Sequence, residues 1–492
     1  MLENLPILVV ILPLLAAPIC ILLRNPRMVW AWSVIVAWST LFLSIRLALM
    51  VLDQGSVSYA MGGWAAPWGI EYYIDSFNAF VLLIVSGNAS IILLYAPYSV
   101  LREIPPGKRY LVFSVFLLCM AGLLGITITG DLFNVFVFLE ISALSTYALI
   151  SMGHTRRALT SAYRYLIMGT IASTFILIGI GLAYMMTGTL NMADLLVRLD
   201  QVEGTRTILA AFAFITVGVS LKMALFPLHT WLPNAYTYAP SIVSAFIAST
   251  ATKVSFYLFA RIIFSVFGAD FVFFGALDLQ YILLPLGLAG ALIGTICAIF
   301  QTNVKRLLAY SSVAQIGYMA VGLSLATVTG LTGAIVHMFN HAMMKGGLFL
   351  VMGCIFYRLG SVELKDLRGV GRTMPITTAA FVLGGLNLIG IPLTAGFVSK
   401  WYLVLAAVQE QMWGVVFVFL TGSLLAVVYI WRVVEVAYFS DPPENGPKGE
   451  APAWLLVPTW MMLGSTVYFG IFDRIPITFA ESAAKTLLGV SP

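Results

Sequence analysis

Apolar runs of about 20 residues recur along almost the whole chain, and that feature leaves few folds open. In hydrocarbon, every backbone N–H and C=O must be satisfied internally, so only helices and closed barrels span a membrane. Runs of this length specify a helix bundle. The 492 residues are 61% hydrophobic and 10% charged, whereas a soluble domain is about 25% charged. The chain is therefore read as an all-α polytopic membrane protein with about 14 transmembrane helices. The first run lacks a basic leader and a small-residue cleavage site, so it is expected to be a retained helix. Loops are short and leave no soluble domain for a nucleotide or flavin. Cys20, Cys119, Cys297 and Cys354 are scattered, with no Cys-x-x-Cys pair, so no iron–sulfur or zinc site and no cofactor is indicated. The net charge of +5 reflects cytoplasmic lysines and arginines, not nucleic-acid binding.

Against that background, the ionisable residues inside the spans stand out. Glu140 lies in DLFNVFVFLEISALSTYALI, Lys222 in ITVGVSLKMALFP and Lys253 in FIASTATKVSFYLF. His337, His341 and Lys345 lie in AIVHMFNHAMMKGGLFLVMG, and Lys400 follows a break in LIGIPLTAGFVSKWYLVL. An ionised side chain at mid-membrane costs about 2.5–3.5 kcal/mol even on the lenient insertion scale. Such residues must face one another, water or the backbone, and a chain of titratable groups is what proton or cation movement across a bilayer requires.

Basic residues cluster on alternate loops: Arg24 and Arg27; Arg102, Lys108 and Arg109; Arg156 and Arg157; Lys305 and Arg306; Arg358, Lys365, Arg368 and Arg372. This excess marks the cytoplasm and is expected to place both termini on the extracytoplasmic side. The seventh span is expected to break at Pro227 and the twelfth at Pro392 and Gly396. Two breaks five spans apart, each beside a lysine, predict two inverted five-helix repeats over residues 110–265 and 280–439. Residues 1–109 then hold helices 1–3, and residues 440–492 the last helix and a tail. Two unrelated proline kinks are the alternative.

At these residues the chain resembles the antiporter-like subunits shared by respiratory complex I, membrane-bound hydrogenases and Mrp-type multisubunit cation/proton antiporters. The resemblance covers nearly the whole chain. It rests on TGDLFNVFVFLEISALSTYALI, on LKMALFPLHTWLPNAYTYAPSIVSAFIASTATK and on HMFNHAMMKGGLF. The M-type complex I subunit is similar but has a glutamate where this chain has Lys400, and the L-type continues into a long lateral helix. The Mrp A-type subunit is much longer. Length, Lys400 and LKDLRGVGRTMPIT look most like the Mrp D-type subunit. The resemblance implies a subunit that is not itself an enzyme, in a cell-membrane assembly with other hydrophobic subunits, including the longer A-type paralogue. Protons and Na+ would be its cargo and membrane lipid its surroundings.

The resemblance also implies that Glu140 pairs with Lys222 near a channel mouth, and that Lys400 is the terminal proton-exchanging site. A buried structural ion pair and a lysine reaching the interface are the bland alternatives. Carbonyls freed at the Pro227 break are expected to hold the Lys222 ammonium. Lys253, midway through its span after Ser249, Thr250 and Thr252, is read as the central proton-accepting site. His337, His341 and Lys345 share one helical face a turn apart, suited to pass a proton from Lys253 along His337, His341 and Lys345, in that order, to Lys400. No carboxylate or thiol joins that face, so no metal is expected. Tyr163, Tyr165, Ser142, Ser145, Thr146 and Asn340 are candidates for lining the route. Asp131 and Arg164 are read as topology residues, Trp64, Trp68 and Trp231 as interfacial anchors, and Gly169, Gly179, Gly181, Gly346 and Gly347 as sites of close packing. The path would work by alternation, a proton at one site disfavouring charge at the next. A redox-driven pump in complex I or a hydrogenase would use the same intramembrane chemistry. A scaffold that had lost the function should also have lost these charges.

Overall fold

The computed structural model describes residues 4–153, 155–202, 204–274, 278–442 and 449–490. Among them, 13 helices are long and apolar enough to cross a membrane. A crossing made in two pieces, Pro375–Ile389 and Ala395–Gln409, supplies the fourteenth. In chain order, the first three spans are α1 (Leu5–Leu23), α2 (Pro26–Gln54) and α3 (Ser76–Glu103). Then come α4 (Arg109–Ile128), α5 (Leu132–Ser151), α6 (Arg156–Thr187), the short amphipathic α7 (Met192–Leu199), α8 (Arg206–Met223) and α9 (Leu232–Tyr238). The next span is interrupted at Thr250 into α10 (Ser241–Ser249) and α11 (Ala251–Arg261). It is followed by α12 (Gln280–Ile299), α13 (Val304–Ser324), α14 (Val328–Leu359), the single turn α15 (Val370–Thr373), α16 (Pro375–Ile389), α17 (Ala395–Gln409) and α18 (Trp413–Phe439). The chain closes with α19 (Ala453–Ile471) and α20 (Arg474–Leu487).

Several helix starts are fastened by polar side-chain caps, because an unsatisfied backbone group near hydrocarbon is expensive. Asp131, Thr155, Asn191, Thr205, Asn303 and Thr327 each accept the N–H three residues on. Asp75 and Asn78 form a reciprocal capping box at α3. Asp131 is thus a cap, and burial pushes its carboxyl above the ordinary carboxylate range.

Two stretches of the chain run through the same series of elements. α6 and α14 are both 32 residues long, each opens on a threonine cap, and each ends on a glycine in the left-handed region, Gly188 (φ 71°) and Gly360 (φ 69°). Immediately after each glycine the chain clasps the start of an earlier helix. Asp131 bridges Asn191, and Asn303 bridges Glu363 at the same offset in numbering. Leu132 N donates to Leu190 O at 2.9 Å, and Val304 N to Val362 O at 3.0 Å. Met192 N donates to Gly130 O at 2.8 Å, and Leu364 N to Thr302 O at 2.7 Å. The clasps lie at opposite ends of the bundle. The first adjoins Thr129, past the end of α4, while the second shares a cavity with Arg102 and Glu103, near the start of α4. A 20-residue helix is about 30 Å long.

α14 is the hub, packed against α3, α10, α13, α16, α17, α19 and α20. Three features outside the spans go beyond the sequence reading. Loop 53–73 forms an antiparallel hairpin of β1 (Val57–Ala60) and β2 (Glu71–Ile74). The tail forms the amphipathic α20, which lays Phe479 on Phe80 and Ser482 Oγ against Ser76 Oγ at 2.8 Å. Tyr59 reaches Asn4 at 3.3 Å, which ties the start of α1 to the hairpin.

Two placements correct the sequence reading. Trp64 and Trp68 are 72% and 91% exposed, as anchors would be, but Trp231 is buried and stacks on Tyr165 at 4.0 Å. Gly169 meets the Tyr147 hydroxyl so closely that no Cβ would fit, whereas Gly181 faces open space.

Candidate proton path

The first break begins earlier than its proline. α8 ends at Met223, and Ala224 takes the left-handed conformation (φ 62°). Ala224 N then donates to Leu221 O at 3.1 Å and Leu225 N to Ser220 O at 3.0 Å, a closed C-terminal turn. The Trp231 indole takes the Leu221 carbonyl as well, at 2.9 Å. These partners occupy the carbonyls expected to hold the Lys222 ammonium. Lys222 Nζ is buried without a hydrogen-bond partner, and so is Glu140 Oε1. The two are electrostatic neighbours but make no hydrogen bond. Lys222 instead borders a cavity of about 20 Å³ with Ser142, Thr146, Tyr165 and Ser255, room for about one water.

The remaining intramembrane lysines share one arrangement, a backbone carbonyl plus a side-chain hydroxyl. Lys253, with no exposed surface, donates to Ala248 O, a carbonyl at the α10–α11 interruption, and to Thr252 Oγ1 at 3.3 Å. Lys345, equally enclosed, donates to Leu308 O at 2.9 Å and to Ser311 Oγ. Lys400 donates to Leu388 O and Ile389 O, both at 3.0 Å, and to Ser423 Oγ at 2.9 Å. Those carbonyls end α16, where Gly390 (φ 90°) turns the chain out of the helix. A cation is well placed at such a terminus, where carbonyls lack backbone partners. The second break thus runs over residues 390–394 and contains Pro392, while Gly396 lies inside α17. There Gly396 N donates to Asn387 Oδ1 at 2.6 Å, and Asn340 Nδ2 reaches Ala395 O.

The histidines connect these sites in a different order from the expected one. His337 Nδ1 hydrogen-bonds Ser399 Oγ at 2.9 Å, and Ser399 directs its own hydrogen to Gly396 O at 3.1 Å. His337 Nε2 and both His341 nitrogens are buried without partners. The two rings lie nearly parallel, centroids 6.3 Å apart. Lys400 acts electrostatically on His337, and Lys253 acts on His337, His341 and Lys345. His337 is therefore the member next to Lys400, while Lys345 turns away to α13. The expected sequence His337, His341, Lys345, Lys400 fails because α14 carries Lys345 two turns beyond His337, away from α17.

Of the lining candidates, Ser142, Thr146 and Tyr165 border the Lys222 cavity, whereas Tyr163 is 63% exposed and points outward. Ser145 is buried, and Arg164 is exposed. Three polar groups escaped the sequence reading. Arg261 pairs with Asp75 at 2.5 Å, supported by Asn78 and Tyr257, beside a cavity of about 480 Å³. Arg261 follows Lys253 by two helical turns, the spacing that made the histidine stripe visible. His229 Nδ1 is buried without a partner inside the first break. Lys305 is buried against Ser241 and Ala239 near Glu103, although its run of basic residues reads as a loop.

Comparison with known proteins identifies the family. Residues 129–426 match the family described as NADH:quinone oxidoreductase/Mrp antiporter, TM. The chain is 41% identical to the N-type subunit of the NADH-quinone oxidoreductase of Desulforudis audaxviator, over 96% of this chain and 97% of that protein. It is 30% identical to the D-type subunit of the Na(+)/H(+) antiporter of Alkalihalophilus pseudofirmus, over 99% and 97%. The N-type relative lies outside the M-type and L-type comparison drawn from Lys400. The solved Mrp complex of Dietzia contains a chain that superposes with a TM-score of 0.91 at 25% identity, covering 99% of this chain and 97% of that one. The chain belongs to the NADH:quinone oxidoreductase/Mrp antiporter transmembrane family.

Proposed function

We propose that this chain is the proton-translocating subunit of a multisubunit Na+/H+ antiporter of the Mrp type. The observation that carries the reading is the set of buried and half-buried lysines Lys253, Lys345 and Lys400, each on a carbonyl and a hydroxyl, beside two histidines that between them keep three ring nitrogens without a partner. Such lysines are held without a fixed counter-ion, so a neighbouring proton changes which of them keeps its charge. Glu140 and Lys222 form the first station, Lys253 the central one, and His341, His337 and Lys400 the exit, with Lys345 on a side branch. The similarity to a D-type antiporter subunit over nearly the full length supports this branch.

The functional units are the two five-helix stretches 110–265 and 280–439, framed by residues 1–109 and 440–492. The matched clasps at opposite ends of the bundle support that division. The arginine-rich face lies in the cytoplasm and both termini lie outside the cell membrane. Neighbours include other hydrophobic subunits and a longer A-type paralogue, with Na+ crossing in exchange for protons. The second reading, a pump module of a redox-driven complex, is favoured by the 41% identity to an N-type subunit of an NADH-quinone oxidoreductase. Purification of the tagged chain from its native membrane in mild detergent separates the two. Hydrophobic partners alone, with sodium-dependent proton flux in vesicles, support the antiporter. Flavin-, iron–sulfur- or nickel-bearing partners would instead make it a redox pump module.

A further inference from the structure

Lys305 shows the arrangement of the path lysines in a place where none was expected. Its Nζ donates to Ala239 O at 3.3 Å and to Ser241 Oγ at 3.0 Å, a carbonyl and a hydroxyl like those at Lys253, Lys345 and Lys400. The side chain is 4% exposed. Ser241 Oγ in turn donates to Glu103 Oε2 at 3.1 Å, and Glu103 Oε1 accepts from Ser99 Oγ at 2.7 Å. The ammonium and the carboxylate are therefore joined through one hydroxyl. Glu103, Lys305 and Tyr238 border a cavity of about 250 Å³ on the arginine-rich face. On the inner side, α13 carries Lys305 and then Leu308 and Ser311, the two residues that hold Lys345. Six residues of helix advance about 9 Å, which leads from the cavity towards the histidines.

We infer that Glu103, Ser241 and Lys305 form a proton relay between the arginine-rich face and Lys345, a second mouth to the path. The inference rests on the reading that protons cross this chain. When Lys345 is a neutral amine, it takes up the proton that Lys305 gives up inward, so Lys345 becomes the ammonium and Lys305 the neutral amine. A proton from water in the cavity then binds Glu103 and passes to Ser241 Oγ, as the serine hydroxyl hydrogen moves to the neutral Lys305 Nζ. Each hop breaks one bond to hydrogen as it forms the next, and the relay returns to an anionic Glu103 and a cationic Lys305.

The competing role is mechanical. Glu103 also accepts Ser241 N at 2.8 Å and so caps α10, while Lys305 holds the last carbonyl before Pro240. The two roles part in three variants, each kept in the native assembly. Ser241→Ala keeps the backbone cap and removes the hydroxyl, Ser241→Thr restores a hydroxyl, and Lys305→Arg keeps charge and donors but does not release a proton. Proton flux is read in inverted vesicles by a pH-sensitive dye, beside the amount of assembled complex. Because the Glu140–Lys222 entry stays open, the relay predicts about a twofold or greater loss of flux in Ser241→Ala and Lys305→Arg at wild-type assembly, with most of that loss recovered in Ser241→Thr. Wild-type flux in Ser241→Ala overturns it, and that variant decides the matter if Lys305→Arg fails to assemble. Lys253→Ala in the same vesicles separates the claims. If it is inactive while Ser241→Ala keeps wild-type flux, only the relay falls. If it is active, the proton-path reading falls too.

Discussion

The two broken spans solve the same problem in opposite ways. At the second break, the freed carbonyls of Leu388 and Ile389 are handed to Lys400, which gains Ser423 as well. At the first, the chain closes its own carbonyls through a left-handed Ala224 and the Trp231 indole, leaving Lys222 buried with no hydrogen bond. One lysine is part of the fold, and the other is carried by the fold at a cost. An unpartnered buried amine persists only where something else selects for it. Under the proposed path, Lys222 is the station held only by electrostatics and Lys400 the station held by hydrogen bonds.

The largest expected effect tests the Lys222 side. Glu140→Ala and Lys222→Ala each lower proton flux by about 100-fold or more, the scale of losing a proton-transfer group, while the assembly persists. Flux near wild type in either, measured in vesicles, would remove that side of the comparison.

Next is a stability split. Lys400→Met loses three hydrogen bonds and leaves carbonyls unsatisfied, costing about 1–3 kcal/mol and lowering the Tm of the detergent-solubilised complex. Lys222→Met removes a group that makes no hydrogen bond, so its Tm stays level or rises. Equal losses in both would erase the distinction. Gly169→Ala sharpens the first half further: its new methyl meets the Tyr147 hydroxyl, and overpacking costs about 1–3 kcal/mol, read as a lower Tm. The smallest effect concerns Ala224, whose left-handed backbone costs about 1 kcal/mol that glycine avoids. Ala224→Gly should be neutral or slightly stabilising, and a clear fall in Tm would show that the methyl is packed for another purpose.

Much of this was legible in the sequence, because spans and buried charges are patterns along the chain. The break near Pro392 and the lysine beside it follow from the proline, and the face of His337, His341 and Lys345 follows from helical spacing. What escaped depends on neighbours distant in sequence. Lys305 reads as one of a basic pair at a loop, and only α10 folding beside it shows that it is buried. Trp231 reads as an interfacial anchor because tryptophans favour that position, yet its ring is stacked on Tyr165. The order of the histidines was missed for a similar reason. A shared face fixes which residues align, but not which end meets α17 or α13.

The central claim is that protons cross through Lys253, between the unpartnered first station and the histidines. The direct measurement is proton flux through Lys253→Ala in vesicles containing the intact native assembly, compared with wild type at equal protein. The account predicts that exchange is lost while the complex remains assembled. Undiminished exchange would contradict it.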